Sequence, residues 1–360
     1  MASERTPNHP ARSRILPNVP TGTSAPTNAA RPRSTQQPDR ASASPSATAR
    51  NLALTLIDAL DRALSTNRSA IELAVMTLCA GGHLLLEDVP GVGKTTLARA
   101  LAAAIKGTVN RIQFTSDMLP SDLTGVSVFD QQTRSFTFVK GPLFADIVLA
   151  DEINRANPKT QAAMLEAMGE RCVSVDGTSY ALPDPYLVVA TQNPVEMEGT
   201  YPLPEAQLDR FMTRISLGYP SADAETRMLM APGGFDPVAS VKPLCTTGDI
   251  RSVIACTAQI HVDPVVAAYA VRVLNATRSH PDIRLGASPR AGLALLAMSR
   301  ARALLKGQTA VYPGDIRAMA TPVLAHRIMF AQAAGGARPL ELQQRLLEQV
   351  LATVPAPRKA

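Results

Sequence analysis

The sequence predicts an α/β fold in which a parallel sheet is flanked by helices, followed by a smaller all-α domain. Three apolar runs, at residues 84–86, 147–150 and 186–190, have the length of buried strands and are followed by polar residues. A glycine-containing turn and then a helical pattern follow the first run, and from about residue 249 onward only helical patterns occur. Buried strands that alternate with helical segments are typical of a parallel sheet covered on both faces.

The turn after the first predicted strand has the composition of a phosphate-binding loop, although the usual pattern begins with glycine where this chain has Asp88. Glycines let backbone N–H groups surround phosphate oxygens, and the N-terminus of the helix that follows favours anions. Lys94 would contact the β- and γ-phosphates, and the Thr95 hydroxyl would ligate Mg²⁺. The predicted nucleotide-binding residues are Asp88, Val89, Pro90, Gly91, Val92, Gly93, Lys94, Thr95 and Thr96.

The second and third predicted strands end in side chains that suit nucleotide hydrolysis. Asp151 and Glu152 follow the second run. A strand beside a phosphate loop presents one carboxylate to the Mg²⁺ shell and another to polarise the attacking water, so we assign Asp151 to the metal and Glu152 to catalysis. Gln192 and Asn193 follow the third run, where an amide could orient that water, although Gln-Asn-Pro is also common in ordinary turns.

Six ordered blocks of sequence between about residues 82 and 219 resemble the MoxR family of AAA+ ATPases. They lie at residues 82–95, 113–125, 141–144, 151–156, 190–194 and 203–211. The resemblance implies an AAA+ P-loop NTPase core with β-hairpin insertions, here residues 126–138 and 172–182, and a helical lid that matches over about residues 247–330. Aspartate in place of the first glycine is common in this family.

The resemblance also implies roles for three residues that strand patterns do not identify. Asn193 matches the sensor-1 residue, which contacts the γ-phosphate or the lytic water. Arg210 matches the arginine finger, which reaches the nucleotide of a neighbouring subunit; a surface salt bridge to Asp209 or Glu205 is the alternative. Arg290 matches sensor 2, and the sequence leaves open whether it acts on its own subunit or on the next one.

Composition divides the chain into four segments. Residues 1–50 are predicted to be a disordered tail rich in Pro, Ser and Arg, residues 51–219 the nucleotide-binding domain, residues 220–248 a linker and residues 249–355 the helical lid. The tail carries seven Arg and no Lys against two acidic residues, which accounts for +5 of the formal net charge of +6. The basic balance therefore belongs to the tail, which weakens any nucleic-acid interpretation of the folded part.

We therefore predict a Mg²⁺-dependent ATPase that assembles as a homo-oligomeric ring, a hexamer. The resemblance implies a chaperone-like remodeller in protein-complex maturation or metal-cofactor insertion, with a von Willebrand factor A domain protein as partner or client. A nucleic-acid-stimulated motor and a nucleotide-gated scaffold with little turnover are the alternatives. Four well-separated cysteines and the lack of a long apolar segment predict a cytoplasmic location without a membrane span.

Overall fold

Strands and helices alternate through the first half of the described chain, and helices dominate the second half. The computed structural model describes residues 44–64, 67–88, 91–192, 200–220, 222–230, 236–331 and 340–357, all of them within the compact unit Ala43–Ala360. The strands are β1 (Leu84–Glu87), β2 (Val109–Gln113), β3 (Gly125–Asp130), β4 (Ser135–Lys140), β5 (Ile147–Asp151), β6 (Cys172–Val175), β7 (Thr178–Ala181), β8 (Leu187–Gln192), β9 (Thr213–Ile215), β10 (Ile283–Leu285) and β11 (Met329–Phe330).

The helices surround the sheet and then form the second half of the chain. They are α1 (Pro45–Leu64), α2 (Arg68–Cys79), α3 (Lys94–Ala104), α4 (Pro120–Thr124), α5 (Pro158–Glu170), α6 (Glu205–Leu208), α7 (Ala222–Met230), α8 (Thr247–Ala258), α9 (Pro264–Ser279), α10 (Pro289–Leu305), α11 (Pro313–Leu324) and α12 (Leu340–Ala352). Short 3₁₀ helices occupy Ile153–Arg155, Pro237–Ser240 and Ala325–Arg327. No helix of the described chain combines the length and apolar content that crossing a bilayer requires.

A five-stranded parallel sheet of order β2-β5-β8-β1-β9 forms the centre of the fold. Successive side chains of its central strands point alternately into two hydrophobic cores, one on each face of the sheet. Leu84 and Leu86 of β1 enter the core that includes α1, α2, α3 and the helices from α8 onward, whereas Leu85 enters the core on the opposite face with α5. Both faces are covered, so the continuous apolar runs belong to a buried parallel sheet, as the sequence predicted.

The predicted tail ends earlier than the composition suggested. Residues 45–50 were assigned to the disordered tail, but α1 begins at Pro45. Ala49 is buried, and Arg50 donates a hydrogen bond from Nε to the carbonyl of Leu305 at 2.9 Å. These contacts with the second half of the chain stabilise a segment that lacks large apolar residues of its own. Residues 1–43 of the predicted tail lie outside the described residues.

The predicted nucleotide-binding domain and lid share one core. α1 and α2 pack against α8 and α10, and residues of all four helices belong to the same buried cluster. The predicted linker, residues 220–248, contains α7, the 3₁₀ helix Pro237–Ser240 and the start of α8.

The prediction that only helices follow residue 249 is wrong in one place. β10 pairs antiparallel with β11, joining Ile283 to Phe330, and α11 ends at Leu324, before β11 begins. Both paired side chains are buried. Strands of two and three residues are too short to show a hydrophobic period, so the sequence could not reveal them.

Both expected hairpins are present. β3 pairs with β4 and β6 pairs with β7, and the second turn has positive φ at Asp176 and Gly177, as a two-residue hairpin turn requires. The hairpins touch through Phe138 and Tyr180, whose rings stack at 4.1 Å. The first hairpin also exposes Phe136. Its exposed fraction of 72% is the highest among the phenylalanines that the structure describes.

Candidate active site

A cavity of about 350 Å³ lies at the carboxyl ends of β1, β2 and β5. Ligands of open α/β sheets bind at this edge, where the loops that follow the strands converge. The cavity is lined by Gly91, Gly93, Lys94, Thr95, Thr96, Arg111, Gln113, Asp151 and Glu152. The fold thus brings the predicted phosphate loop and the two predicted carboxylates to one place.

The phosphate loop is shaped by its glycines and held by one apolar side chain. Gly91 and Gly93 have φ of 86° and 93°, a region that other residues rarely adopt, and Gly93 is the N-cap of α3. Val92 is buried in the core beneath the loop. Lys94 is 9% exposed, and its Nζ donates a hydrogen bond to the carbonyl of Asp88 at 2.9 Å. The N-terminus of α3 and the Lys94 ammonium therefore form a cationic cradle in a partly enclosed space.

The Asp88 carboxylate is directed away from the cavity. It accepts hydrogen bonds from the Ser216 hydroxyl and the Leu217 N–H, both at 2.6 Å, and from the Gly218 N–H at 3.3 Å. Asp88 is 7% exposed, and its backbone is not in the left-handed region. The residue that replaces the usual glycine therefore fastens the phosphate loop to the segment after β9. Its nucleotide contact remains a prediction that would have to use its backbone.

Asp151 is surrounded by donors at the end of β5. Its Oδ1 accepts a hydrogen bond from the Thr191 hydroxyl at 2.6 Å, and its Oδ2 accepts from the Arg111 Nη2 at 2.7 Å and from Nε at 3.2 Å. The Arg111 side chain is 55% exposed, so solvent screens this ion pair. A cation that approached Asp151 would compete with Arg111 for Oδ2.

Glu152 is held in a bent backbone conformation that directs its side chain into the cavity. Its φ and ψ are 56° and 49°, in the left-handed region, and its N–H donates to the Thr191 hydroxyl at 2.8 Å. The Glu152 Oε2 accepts hydrogen bonds from Gln113 Nε2 at 2.9 Å and Arg155 Nη1 at 3.1 Å. Gln113 in turn accepts from Arg111 at 2.9 Å, which closes a continuous polar network around both carboxylates.

The sequence prediction gives no role to four residues of this network, which are Arg111, Gln113, Thr191 and Arg155. Arg111 and Gln113 are two residues apart on β2, so their side chains share one face of the strand and both line the cavity. Thr191 lies one residue inside the end of β8 and joins Asp151 to the backbone of Glu152. Residues 109–113 read Val-Asn-Arg-Ile-Gln, which has no regular alternation, so no local pattern in the sequence marks Arg111 and Gln113.

The residues present fit a nucleotide triphosphate with Mg²⁺. The loop and Lys94 offer positive charge and backbone donors, and Thr95 with Asp151 offers the hydroxyl and carboxylate oxygens that Mg²⁺ prefers. Asp151 and Glu152 are consecutive residues at the end of β5, so one carboxylate could bind a cation while the other binds a water. Val89, Pro90 and Asn193 lie outside the described residues, so their predicted roles stay predictions.

The two predicted arginines lie at the opposite end of β1. Arg210 is in the turn between α6 and β9, and its Nη1 donates a hydrogen bond to the carbonyl of Leu165 on α5. Arg290 is exposed in the first turn of α10, two residues after Ser288, whose hydroxyl donates to the carboxylate of Asp209, the residue before Arg210. Neither arginine is among the described residues that line the cavity. β1 has four residues, so roughly 13 Å of strand separates the two ends.

His83 anchors this second end as a neutral side chain. Its Nδ1 accepts a hydrogen bond from the Val188 N–H at 3.1 Å, so its Nε2 carries the proton and donates to the Met168 carbonyl at 3.2 Å. Burial lowers the His83 pKa to about 4, and the nearby charges of Arg171 and Arg290 act in the same direction. The ring thus ties β1, β8 and α5 together beside the two arginines.

The salt bridge considered for Arg210 is not seen among the described residues. Asp209 pairs with Arg327 instead, with Nε 3.0 Å from Oδ1, although the N–H is not aimed along a hydrogen-bond direction. The guanidinium of Arg210 passes Gly169, where a Cβ would come within 3.1 Å of Nη1. The absence of a side chain at residue 169 therefore leaves room for Arg210.

Two family patterns cover most of the described chain. Residues 83–213 match the ATPase family associated with various cellular activities (AAA), and residues 275–349 match the AAA lid domain. The first match contains the phosphate loop, both carboxylates and Arg210. The second contains Arg290 and the 3₁₀ helix Ala325–Arg327.

Named relatives and a solved structure agree with these patterns. Chaperone MoxR1 of Mycobacterium tuberculosis is 42% identical over 72% of this chain and 71% of its own. Protein MoxR of Methylorubrum extorquens is 35% identical over 80% of this chain and 90% of its own, and the uncharacterised YeaC of Bacillus subtilis is 46% identical over 76% and 85%. The structure of a candidate ATPase from Cytophaga hutchinsonii superimposes with a TM-score of 0.77, is 34% identical and covers 87% of this chain and 97% of that one.

Proposed function

Because the chain belongs to the MoxR family of AAA+ ATPases, we propose that it hydrolyses ATP with Mg²⁺ at interfaces between identical subunits of a ring, and that hydrolysis remodels a client protein. The family is one of ATPases, and the names of its relatives include a chaperone. Mg²⁺, a ring of about six subunits, the residue roles and the client belong to the proposal.

Each subunit supplies the nucleotide cavity of one site. In this assignment the backbone of the phosphate loop, with Lys94, binds the phosphates, and Thr95 and Asp151 hold the cation. Mg²⁺ neutralises phosphate charge while the terminal phosphoryl group is transferred. The Thr191 hydroxyl, which donates to Asp151 Oδ1 at 2.6 Å, orients this carboxylate and leaves Oδ2 for the cation once Arg111 has moved aside.

Glu152 is the proposed general base. Its carboxylate accepts a proton from water as that water attacks the terminal phosphorus atom in line with the leaving oxygen. Gln113 and Arg155 both donate to Oε2, which fixes the side chain and leaves Oε1 free of these two donors. Asn193 is proposed to orient the same water.

The position of the two arginines carries the proposal that the site is shared. Arg210 lies two residues before Met212, whose N–H donates to the His83 carbonyl at 2.8 Å. Arg290 lies two residues after Ser288, which contacts Asp209, whereas the phosphate loop follows the other end of β1. In a head-to-tail ring, each subunit presents one surface to one neighbour and a different surface to the other. The arginines on one surface of a subunit can then complete the nucleotide site on the facing surface of the next subunit. Arg210 would then stabilise the charge that develops on the transferring phosphoryl group.

A mixing experiment tests the shared site. Lys94→Ala subunits lack nucleotide binding but keep Arg210, and Arg210→Ala subunits have the converse defect. Each variant alone is expected to lose most ATPase activity. In a 1:1 mixture that assembles at random, about one quarter of the interfaces combine an intact Lys94 with an intact Arg210, so about one quarter of the wild-type activity is expected to return. Steady-state phosphate release measures this.

The control is a mixture of Lys94→Ala with Glu152→Gln subunits. Both changes affect the same half of the site, so no intact interface forms and no activity should return. Activity that stays absent at every ratio of Lys94→Ala to Arg210→Ala would contradict a shared site.

The client side of the proposal is a protein substrate, with a von Willebrand factor A domain protein as partner or client. The related chaperone supports this class. Glu152→Gln subunits in ATP should remain bound to their partner, so affinity capture with this variant, compared with Lys94→Ala, identifies partners that depend on the ATP-bound state.

A further inference from the structure

The turn that carries Arg210 is held on both sides by side chains from the lid. Arg210 stands between Asp209 and Phe211, and the lid residues Arg327, His326 and Ser288 contact these two neighbours. The lid contacts lie at main-chain and carboxylate atoms that flank Arg210 and leave its guanidinium untouched. We call the three lid residues the clamp.

Arg327 spans Arg210 with a single nitrogen. Its Nη2 donates to the Asp209 carbonyl at 3.1 Å and to the Phe211 carbonyl at 2.6 Å. Its Nε lies 3.0 Å from the Asp209 carboxylate, and its Nη1 donates to the carbonyl of Val323, near the end of α11, at 3.1 Å. The side chain is 3% exposed. The planar fork of a guanidinium suits this set of acceptors, which an ammonium could not reach together.

The rest of the clamp uses neutral groups. His326 donates from Nε2 to the Phe211 carbonyl at 2.9 Å, so this carbonyl accepts from two lid side chains. Burial places the pKa of His326 well below its usual value, which keeps the ring neutral beside the Arg327 charge. Ser288 donates from its hydroxyl to Asp209 Oδ2 at 2.9 Å while it accepts from the Ala291 N–H as N-cap of α10.

The clamp also links the two arginines that the proposed function places in the neighbour's site. Ser288, which touches Asp209, lies two residues before Arg290 on the same helix start. Arg327 lies close enough to Arg290 for that charge to act on its pKa: burial, the largest cause, and the Arg290 charge lower this pKa to about 10 against the raising effect of the Asp209 carboxylate. The Arg210 turn and the first turn of α10 thus share one set of contacts.

We propose that Arg327, with His326 and Ser288, is a positioning residue that fixes the Arg210 turn to the lid, so that Arg210 and Arg290 reach the neighbouring subunit's nucleotide as one unit. The inference rests on the proposed shared site, and it adds that the lid contacts of one subunit set the rate of hydrolysis in the next. A buried guanidinium is costly unless it is fully paired, and here its partners are the main-chain atoms on either side of Arg210.

The test uses Arg327→Lys in the full-length chain. The variant keeps the charge but cannot span both carbonyls, so kcat is expected to fall roughly 10-fold while the ATP Kd stays within about 2-fold, because the cavity is at the other end of β1. Arg302→Lys is the matched control: it alters another lid arginine, 3.3 Å from the buried Asp315 carboxylate. This control should keep wild-type kcat.

A mixed-subunit assay separates positioning from folding. If Arg327 acts through Arg210, then Arg327→Lys subunits regain activity with Lys94→Ala subunits but gain none with Arg210→Ala subunits. The double variant Arg210→Ala/Arg327→Lys should be no slower than Arg210→Ala alone. A merely structural role would instead slow the double variant further and give no rescue with Lys94→Ala, and that result would overturn the inference.

The outcomes distinguish this inference from the proposed function. Rescue of Arg210→Ala by Lys94→Ala without rescue of Arg327→Lys leaves the shared site standing and refutes the clamp. Loss of both rescues refutes the shared site. If Arg327→Lys does not fold, Ser288→Gly repeats the assay, because it removes the hydroxyl that contacts Asp209, and glycine in place of serine at an N-cap costs the helix only a few tenths of a kcal/mol.

Discussion

The two ends of β1 differ in how their residues are brought together. At the carboxyl end, the phosphate loop follows β1 directly, and Asp151 is the last residue of β5, two strands along the same sheet, so short chain segments place the predicted groups that line the cavity. At the amino end, His83 meets Met168 of α5, and the Arg210 turn meets lid residues more than 75 positions later in the chain. The first end can be recognised from motifs, whereas the second depends on the packing of distant segments.

The comparison also separates two kinds of chemistry. The carboxyl end has a cavity, carboxylates and a cationic loop, which are what a subunit needs to bind and attack a nucleotide. The amino end has two arginines and a neutral buried histidine but contributes nothing to the described cavity of its own subunit. Substitutions at the two ends should therefore have different consequences, and the following predictions are ordered by the size of the expected effect.

The largest effect is expected at the carboxyl end. Glu152→Gln should lower kcat by roughly 100-fold or more, since general bases contribute at least that much, and should leave ATP affinity nearly unchanged. Phosphate release and ATP titration of the same preparation measure the two quantities. Glu166→Gln, an exposed change on α5, is the control and should be neutral. Wild-type turnover by Glu152→Gln would remove Glu152 from the chemistry.

A moderate effect is expected from restoring the usual glycine in the phosphate loop. Asp88→Gly removes the acceptor for the Ser216 hydroxyl and the Leu217 N–H, so the free energy of unfolding should fall by about 2 kcal/mol. Urea unfolding at neutral pH measures it. The control Asp176→Gly lies in an exposed turn at a positive φ and should change stability by less than about 0.5 kcal/mol.

The Asp88→Gly variant also tests whether the Asp88 carboxylate contacts the nucleotide or only holds the phosphate loop to residues 216–218. If the carboxylate contacted the nucleotide, Asp88→Gly would change ATP affinity and leave the unfolding free energy unchanged. The observed contacts predict that the unfolding free energy falls while ATP affinity stays unchanged. That result would show that the segment after β9 stabilises the phosphate loop at the carboxyl end of β1.

The smallest effect at neutral pH is expected at the amino end and grows in acid. His83 has a pKa of about 4 in the folded protein and about 6.5 when unfolded, so its contribution to stability is present above pH 6.5 and is lost as the pH falls towards 4. At pH 5 the loss should be about 1–2 kcal/mol. His326, whose pKa is also lowered, adds to the same slope.

His83→Gln should flatten this pH dependence. The measurement is the slope of unfolding free energy between pH 7.5 and 5, because the variant also loses two hydrogen bonds at every pH. His261→Gln, an exposed change, should keep the wild-type slope. An unchanged slope in His83→Gln would mean that the ring is not the group that resists protonation at this end.

Most of the fold could be predicted because its signals are local. The apolar runs that became β1, β5 and β8 are continuous because the sheet is covered on both faces, and the Asp-Gly turn between β6 and β7 needs only two residues to be recognised. The start of α1 and the β10–β11 pair were missed because they are stabilised by contacts with remote segments rather than by a periodic pattern.

The site divides in the same way. Lys94, Thr95, Asp151 and Glu152 line one cavity as expected, whereas Arg111 and Gln113 were missed because β2 carries no motif that distinguishes them from an ordinary polar edge strand. Their importance is visible only where β2 lies beside β5, within hydrogen-bond distance of both carboxylates.

By itself, the sequence determined which groups could bind and attack a nucleotide, because the phosphate loop and the carboxylates sit at fixed offsets from strands that can only be buried. Tertiary structure alone decided that the Asp88 side chain turns to residues 216–218, and that Arg210 and Arg290 lie by His83, away from their own phosphate loop. The orientation of these side chains depends on the packing of segments that are tens to hundreds of residues apart, and a local sequence pattern carries no information about such contacts.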